Sequence, residues 1–377
     1  MIMYFVYWAY GILKIQSQRE NFFFYKLYTG LLVVTLYTFT LSQLIKMFTS
    51  LDNPDDFSKA SFMSITMTAT CFKVYDMLSK KKLLARLINT LDNGSFKSRN
   101  SIESSIQSNF FNKIKLLIFL YGTLNESTAT TITLASIIRD APQRALAYKA
   151  WLPFDESKPI FYWIAFIHQH FGGYCAASMS VAFDTMVVGL MISVCAQLRV
   201  LKYRIHHGYN TVTYEQKKNY ENDYLVDCIQ HHNAIFQFAE LSNYIFSKAI
   251  FFQYFASSIV LCVSTFSLSQ EKTFSKEFNN LIMYLACMLS QIYVLCNWST
   301  NVHIESTSIA TGVYESDWPS LLIGSRKNLV IMMIRTLRPI QYSSGYIVNL
   351  SLTAFANLLK TSYSAYNILQ KSKSRTE

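Results

Sequence analysis

Apolar residues in this chain fall into long blocks, not into the short alternations of strands or the single stripes of soluble helices. A membrane-spanning helix needs about 20 mostly apolar residues, and such segments run near 27–48, 59–79, 113–138, 160–198, 249–269, 278–300 and 346–369. The pattern predicts an all-α membrane protein with seven transmembrane helices, a single unit over residues 1–377. The fourth block is too long for one crossing, so its later part, through Val194–Arg199 to Ile205, is expected to leave the membrane as a continuous helix. The stretch Arg199–Lys248 keeps helical periodicity but is rich in polar residues. In it Leu225, Ile229, His232, Phe236 and Ala239 form an apolar stripe at 3–4 spacing. That stripe suits packing against partner helices and an ordinary intramolecular core equally. Together with 303–337 it predicts a cytoplasmic helical layer, with anchor helices near 199–248 and 303–337. A shorter helix around Pro319–Leu337 is expected to stop at Arg338-Pro339, because proline lacks a backbone donor and disfavours helix in the residue before it.

Charge adds an orientation. With the N-terminus inside, the inner connections hold 21 of the 34 lysines and arginines and the outer ones 11. Loops rich in basic residues stay on the cytoplasmic side, so the N-terminus is expected to be cytoplasmic and the C-terminus extracellular, opposite to G-protein-coupled receptors. The first outer connection is acidic, with Asp52, Asp55 and Asp56, and the first inner one opens with Lys80-Lys81-Lys82. The apolar start, Met1–Gly11, has no charged leader or small-residue cleavage site, and reads as a short interfacial helix and not a cleaved signal peptide. The sequons at Asn125, Asn297 and Asn349 fall within or at the inner ends of spans, where no sugar is expected.

Composition excludes other classes. The chain is 51% hydrophobic and only 15% charged, well below the roughly 25% of a soluble domain. The net charge of +11 sits beside apolar blocks, which argues for inner membrane loops and no nucleic-acid partner. The seven cysteines are scattered singly, mostly inside apolar segments, and read as small buried hydrophobes. The pairs His206-His207 and His231-His232 invite a metal, but adjacent residues point to different helix faces and nothing completes a ligand spacing. No metal, cofactor or catalytic set is therefore expected, and no enzyme. Asp184 is an acid on a strongly apolar stretch with no obvious base, which suits a structural hydrogen bond or a place in a pore vestibule.

The last quarter carries a recognisable pattern: Tyr314-Glu-Ser-Asp-Trp318, Arg326, Arg338-Pro339, Gly345, Phe355 and Leu359-Lys-Thr-Ser-Tyr-Ser-Ala-Tyr-Asn-Ile-Leu-Gln370. This resembles the seventh-helix signature of the insect odorant receptors. Weaker agreement extends upstream, through Trp151–Asp155 to Gln169 and through His232–Ile235 to Cys262. Gustatory receptors and the odorant co-receptor end in a Thr-Tyr run followed by aliphatics and glutamine. Here serines and an asparagine interrupt it, as suits a ligand-tuned odorant subunit.

The resemblance implies a heterotetrameric, odorant-gated, non-selective cation channel built with the shared co-receptor subunit. It would sit among membrane lipids in the plasma membrane of olfactory sensory neurons and pass permeant cations through a central pore lined by the seventh helix. Ser362, Tyr366, Leu369 and Gln370 share one helical face that could line and constrict that pore, or serve as a tyrosine-rich packing face. The resemblance places a small volatile ligand in the outer half of the bundle, between segments two, three, four and six. The matching half-helices contain Met67, Thr70 and Cys71; Thr128 and Thr131; His168, Gly172, Tyr174 and Cys175; and Tyr284 and Met288. Methionine adapts its shape and tyrosine joins an apolar face to a hydroxyl, though each residue suits core packing as well. The alternative is a gustatory-type ligand-gated channel that works as a homomer.

Overall fold

The structure is a computed structural model that describes residues 22–50, 54–91, 94–146, 148, 150–155, 158–207, 217–270 and 275–373. The expected interfacial helix over Met1–Gly11 lies outside the described residues. Nine α-helices appear among them: α1 (Phe22–Thr49), α2 (Pro54–Ser79), α3 (Lys81–Leu91), α4 (Ser101–Arg139), α5 (Pro159–His207), α6 (Lys217–Gln270), α7 (Lys276–Glu315), α8 (Ile323–Thr336) and α9 (Leu352–Lys373). All but α3 and α8 have 22 or more residues, enough to span a bilayer core by length. Four of them, within α1, α5, α6 and α7, also hold a stretch apolar enough to cross by composition.

Helix α5 is the central post. Its most apolar window is 78% buried inside the chain, against 28–44% for the other three. At 49 residues it is about 74 Å long, more than twice the roughly 30 Å hydrocarbon core. It therefore runs on without a break, as its sequence predicts, into a basal layer made with the first half of α6, the end of α7, and α3 and α8. Helices α4 and α7 pack along its flanks, α1 and α2 cover its other side, α6 pairs with α2, and α9 leans on α6 and α7.

The basal layer is tied by a buried knot. Arg204 and Glu103 are 1% and 2% exposed, and the arginine grips the carboxylate through two bonds, Nε to Oε1 at 2.9 Å and Nη2 to Oε2 at 2.8 Å. Its remaining hydrogens go to Ser95 O, Lys97 O and His231 Nδ1 at 3.0–3.1 Å, so all five donors are used. Glu103 also accepts from Arg99 N at 2.8 Å, while Asn100 Oδ1 accepts from Glu103 N, a reciprocal cap that starts α4. Since Arg204 donates to Nδ1, the neutral His231 ring carries its hydrogen on Nε2 and gives it to Gln197 Oε1 at 3.0 Å. The two adjacent histidines do point apart: His231 meets α5, and His232 packs its ring edge on Phe236.

The seventh segment starts later than its apolar block suggests. Residues 343–349 turn back as a two-stranded hairpin, Ser343 opposite Asn349 and Ser344 opposite Val348. Gly345 and Tyr346 adopt positive φ of 59° and 61° at its tip, a region that glycine enters freely. Asn243 brackets Ser343, donating to its Oγ and accepting from its N, and Ser247 donates to Ser343 O. The chain is thus clamped to α6 before α9 begins at Leu352.

Two outcomes follow. Replacing Arg204 or Glu103 with alanine strands a buried charge and should cost about 3–5 kcal/mol, read as lost surface expression and a lower melting temperature in detergent; normal values for both variants would exclude the knot as a keystone. Burial pushes the His231 imidazole down to about 3 and His232 to about 4, with Arg204 beside the first and Arg335 beside the second adding to it. Because the unfolded chain binds these protons near pH ~6.5 and the folded one resists them, stability is full above that pH and falls on acidification, by up to about 1.4 kcal/mol per pH unit per histidine. Melting temperatures from pH 7.5 to 5 check this, and a flat profile would contradict it.

Candidate functional site: a mainly apolar cavity above a buried ion pair

Between α2, α4, α5 and α7 lies a cavity of about 120 Å³, near the ~150 Å³ scale that accepts a benzene ring. Its wall is largely apolar. Helix α2 contributes Met63, Thr66, Met67 and Thr70; α4 gives Asn125, Thr128, Ala129, Ile132 and Thr133; α7 gives Tyr284, Cys287, Met288 and Gln291. Helix α5 presents His170, Gly173, Tyr174, Ala176, Ala177 and Ser180, and Tyr148 closes the end from the α4–α5 connection. Gly173, Ala176 and Ala177 give α5 a shallow face here, with the Tyr148 hydroxyl 3.6 Å from where a Cβ on Gly173 would stand.

Below the cavity the sequence-singled Asp184 has the partner that its sequence did not reveal. Lys73 Nζ lies 3.0 and 3.2 Å from its two carboxylate oxygens and 2.9 Å from Ser180 Oγ. The pair is 2% and 3% exposed. Tyr121 donates to Asp184 Oδ2 at 3.1 Å and Gln291 Nε2 to the same oxygen, so one carboxylate joins α2, α4, α5 and α7. Burying a charge is tolerated in a low-dielectric interior only with such pairing and hydrogen bonding. Ser180 and Gln291 belong to both units, as cavity wall and as ligands of the ion pair.

Of the residues expected to line a pocket, Met67, Thr70, Thr128, Tyr174, Tyr284 and Met288 lie on this wall. Cys71, Thr131, His168, Gly172 and Cys175 do not, and helical register explains it. His168, Gly172 and Cys175 share the α5 stripe that α1 covers. His168 Nε2 is 3.0 Å from Thr38 Oγ1, and a Cβ on Gly172 would stand 2.9 Å from the Phe39 ring. Cys71 likewise faces α1, with Sγ 3.2 Å from Thr40 Oγ1. Thr131 is exposed on the outer surface and donates to Ser127 O. The wall residues passed over, such as His170, Ala177, Thr66 and Gln291, stand three or four positions from chosen ones, so choosing one register for each helix would have found them.

On α9 the side chains of two of the four residues of the expected pore face are described. Ser362 is 5% exposed and donates to Leu358 O, Tyr366 is half-buried, and it is Tyr363 that faces outward, 63% exposed. The side chains of Leu369 and Gln370 lie outside the described residues.

A bundle of long helices with an apolar exterior and a sparsely polar cavity defines a multi-span membrane protein with a small-molecule-sized chamber. The family model for the 7tm odorant receptors matches residues 53–363, and the chain belongs to that family, an odorant receptor and not an enzyme. Putative odorant receptor 85d of Drosophila melanogaster is 22% identical over 359 residues, 90% of this chain and 84% of that protein. Odorant receptor 46a, isoform A, of the same fly is 23% identical, over 91% of this chain and 90% of that protein. The insect olfactory receptor OR5 from Machilis hrabei, solved in complex with eugenol, superposes with a TM-score of 0.86 over 98% of both chains at 15% identity, which establishes the shared fold.

Lys73→Met alone should destabilise the receptor by about 3–5 kcal/mol, because it leaves Asp184 buried and unpaired, and Lys73→Met with Asp184→Leu should recover much of that. Detergent melting temperatures and surface labelling measure it; a double variant no better than the single one would show that the pairing is not what matters.

Proposed function

We propose that this odorant receptor is the ligand-tuned subunit of a heteromeric, odorant-gated, non-selective cation channel, assembled with the odorant co-receptor in the plasma membrane of olfactory sensory neurons. The mainly apolar cavity between α2, α4, α5 and α7 carries the proposal. It has the mainly apolar wall and few polar groups of a small-molecule site, and the similarly folded OR5 of Machilis hrabei was solved with eugenol. Met67, Thr70, Thr128, Tyr174, Tyr284 and Met288 are the ligand-facing residues among those singled out by sequence, joined by His170 and Gln291. An odorant that fits the cavity better in the open arrangement shifts the channel toward it.

Seven crossings, by α1, α2, α4, α5, α6, α7 and α9, with the N-terminus cytoplasmic and the C-terminus extracellular, follow from the distribution of basic residues. The basal layer is then the cytoplasmic anchor. Helix α8 supports assembly there, since it presents Ile323, Ile331, Ile334 and Leu337 outward at 59–79% exposure, more than an isolated cytoplasmic surface needs. Helix α9 lines the pore, with Tyr363 and Tyr366 on the side open to neighbouring subunits.

Co-expression with the co-receptor in oocytes should give odorant-evoked cation current, absent when either subunit is omitted. Current without the co-receptor would favour a gustatory-type homomer, and none with surface expression confirmed would sink the proposal. Epitope tags should be accessible on intact cells at the C-terminus only.

A further inference from the structure

The hydrogen bonds on the cavity wall bear on which molecules it prefers. Gln291 is 8% exposed and lines the cavity. Its Nε2 donates to the Asp184 carboxylate and, at 3.2 Å, to Ser180 Oγ. A carboxylate accepts only donors, which fixes the nitrogen end of the amide. The carbonyl oxygen Oε1 receives no hydrogen bond from the described residues. An amide whose hydrogens are held by an ion-pair network is polarised into a better acceptor.

His170, also 8% exposed and on the wall, presents a second acceptor. Its Nδ1 lies 3.3 Å from Thr133 Oγ1, whose own hydrogen goes to Ala129 O at 2.9 Å. With that hydrogen so placed, Nδ1 is the donor and Nε2 of the neutral ring is an acceptor with no partner among the described residues. Ten residues, about 15 Å of α5, separate His170 from Ser180, the residue that Gln291 bonds from α7, so the two acceptors belong to different helices. The wall hydroxyls of Thr70, Thr128 and Tyr174 already donate within the protein; Ser180 Oγ accepts from Lys73 and Gln291 and keeps its own hydrogen to give, and the hydroxyl of Tyr148 can turn to either role.

We infer that the cavity selects compact, mainly apolar molecules carrying a hydroxyl donor, alcohols and phenols, over ethers and hydrocarbons of the same shape, with Gln291 Oε1 and His170 Nε2 as the receiving atoms. The inference rests on the receptor reading above. A buried acceptor left without a donor loses about 1–3 kcal/mol, so a methyl ether should need about tenfold or more the concentration of its parent alcohol.

The test uses the full chain with its co-receptor and a panel of small alcohols and phenols, each paired with its methyl ether and the matching hydrocarbon. The native receptor should respond to the hydroxyl member at about tenfold lower half-maximal concentration. Gln291→Met with His170→Phe should bring that ratio, taken between alcohol and ether on the same variant, to about one, and the single variants assign the anchor. Ethers matching or surpassing alcohols on the native receptor would overturn the inference, a comparison that needs no variant to fold. A tenfold ratio kept by the double variant would overturn it too. Both outcomes leave the receptor reading standing, whereas no evoked current from any compound would overturn the two together.

Discussion

Helix α5 must bury two opposite charges, Asp184 in its membrane half and Arg204 in its basal half, and the rest of the chain is arranged around their neutralisation. They lie 20 residues apart, about 30 Å along the axis, so no single loop reaches both. Asp184 draws Lys73 from α2, Tyr121 from α4 and Gln291 from α7. Arg204 draws the turn before α4, the cap of α4 itself and His231 of α6. Helix α4 contributes to both ends. Its tilt against α5 is thus fixed at two points, and α2, α6 and α7 are fixed through the same groups.

The cavity is a consequence of that framework. Small residues along α5 let neighbours approach, and on the α1 side they do: Phe39 packs into the space beside Gly172. On the opposite side Gly173, Ala176 and Ala177 meet Ala129 across the gap, while the ion pair beneath holds α2, α4 and α7 where they are. Dense packing is the rule in protein interiors, and a void survives here because the helices around it are tied by bonds that collapse would break. The floor of the cavity and the fastening of the bundle are the same atoms, Ser180 and Gln291. A ligand touching them touches the junction of four helices.

Much of the fold was legible in the sequence, because block length and basic flanks are coarse properties. The long run from 160 to 205 reads as one projecting helix and forms one. Pairing was not legible. Lys73 and Asp184 each stand out as a charge in an apolar block, and an intramembrane ion calls for a counter-ion, yet only packing shows that they are 3.0 Å apart. Arg204 reads as one more inner basic residue, although it is the most fully bonded side chain of the basal layer. The cavity was half legible: the segments expected to hold a pocket are the helices α2, α4, α5 and α7 that line it, but α1 occupies the α5 stripe of His168, Gly172 and Cys175, and nothing in the sequence says which stripe α1 takes. The start of α9 was misjudged because Ile347, Val348 and Leu350 extend its apolar block backwards, while the hydrogen bonds of Asn243 and Ser247 hold that stretch in a hairpin.

Helix α4 shows why hydropathy alone undercounts the long helices. Its second half reads as polar, with Thr123, Thr128, Thr130, Thr131 and Thr133, yet each hydroxyl donates to the carbonyl four residues earlier. A hydroxyl bonded to its own backbone presents mainly its methyl group, and its transfer into lipid costs little. On either side of this threonine-rich stretch the exposed side chains include Leu116, Phe119, Leu120, Leu134, Ile137 and Ile138, an outer surface that hydrocarbon can wet. The polar character that remains, Asn125 and Glu126, turns inward, where Asn125 donates to Tyr121 O and Glu126 accepts from Ser178 at 2.6 Å. A helix of this kind fails a test of mean composition but meets the physical requirement behind it, that no unsatisfied polar group faces the lipid. The same internal bonding keeps the threonines on the α4 wall of the cavity apolar in effect.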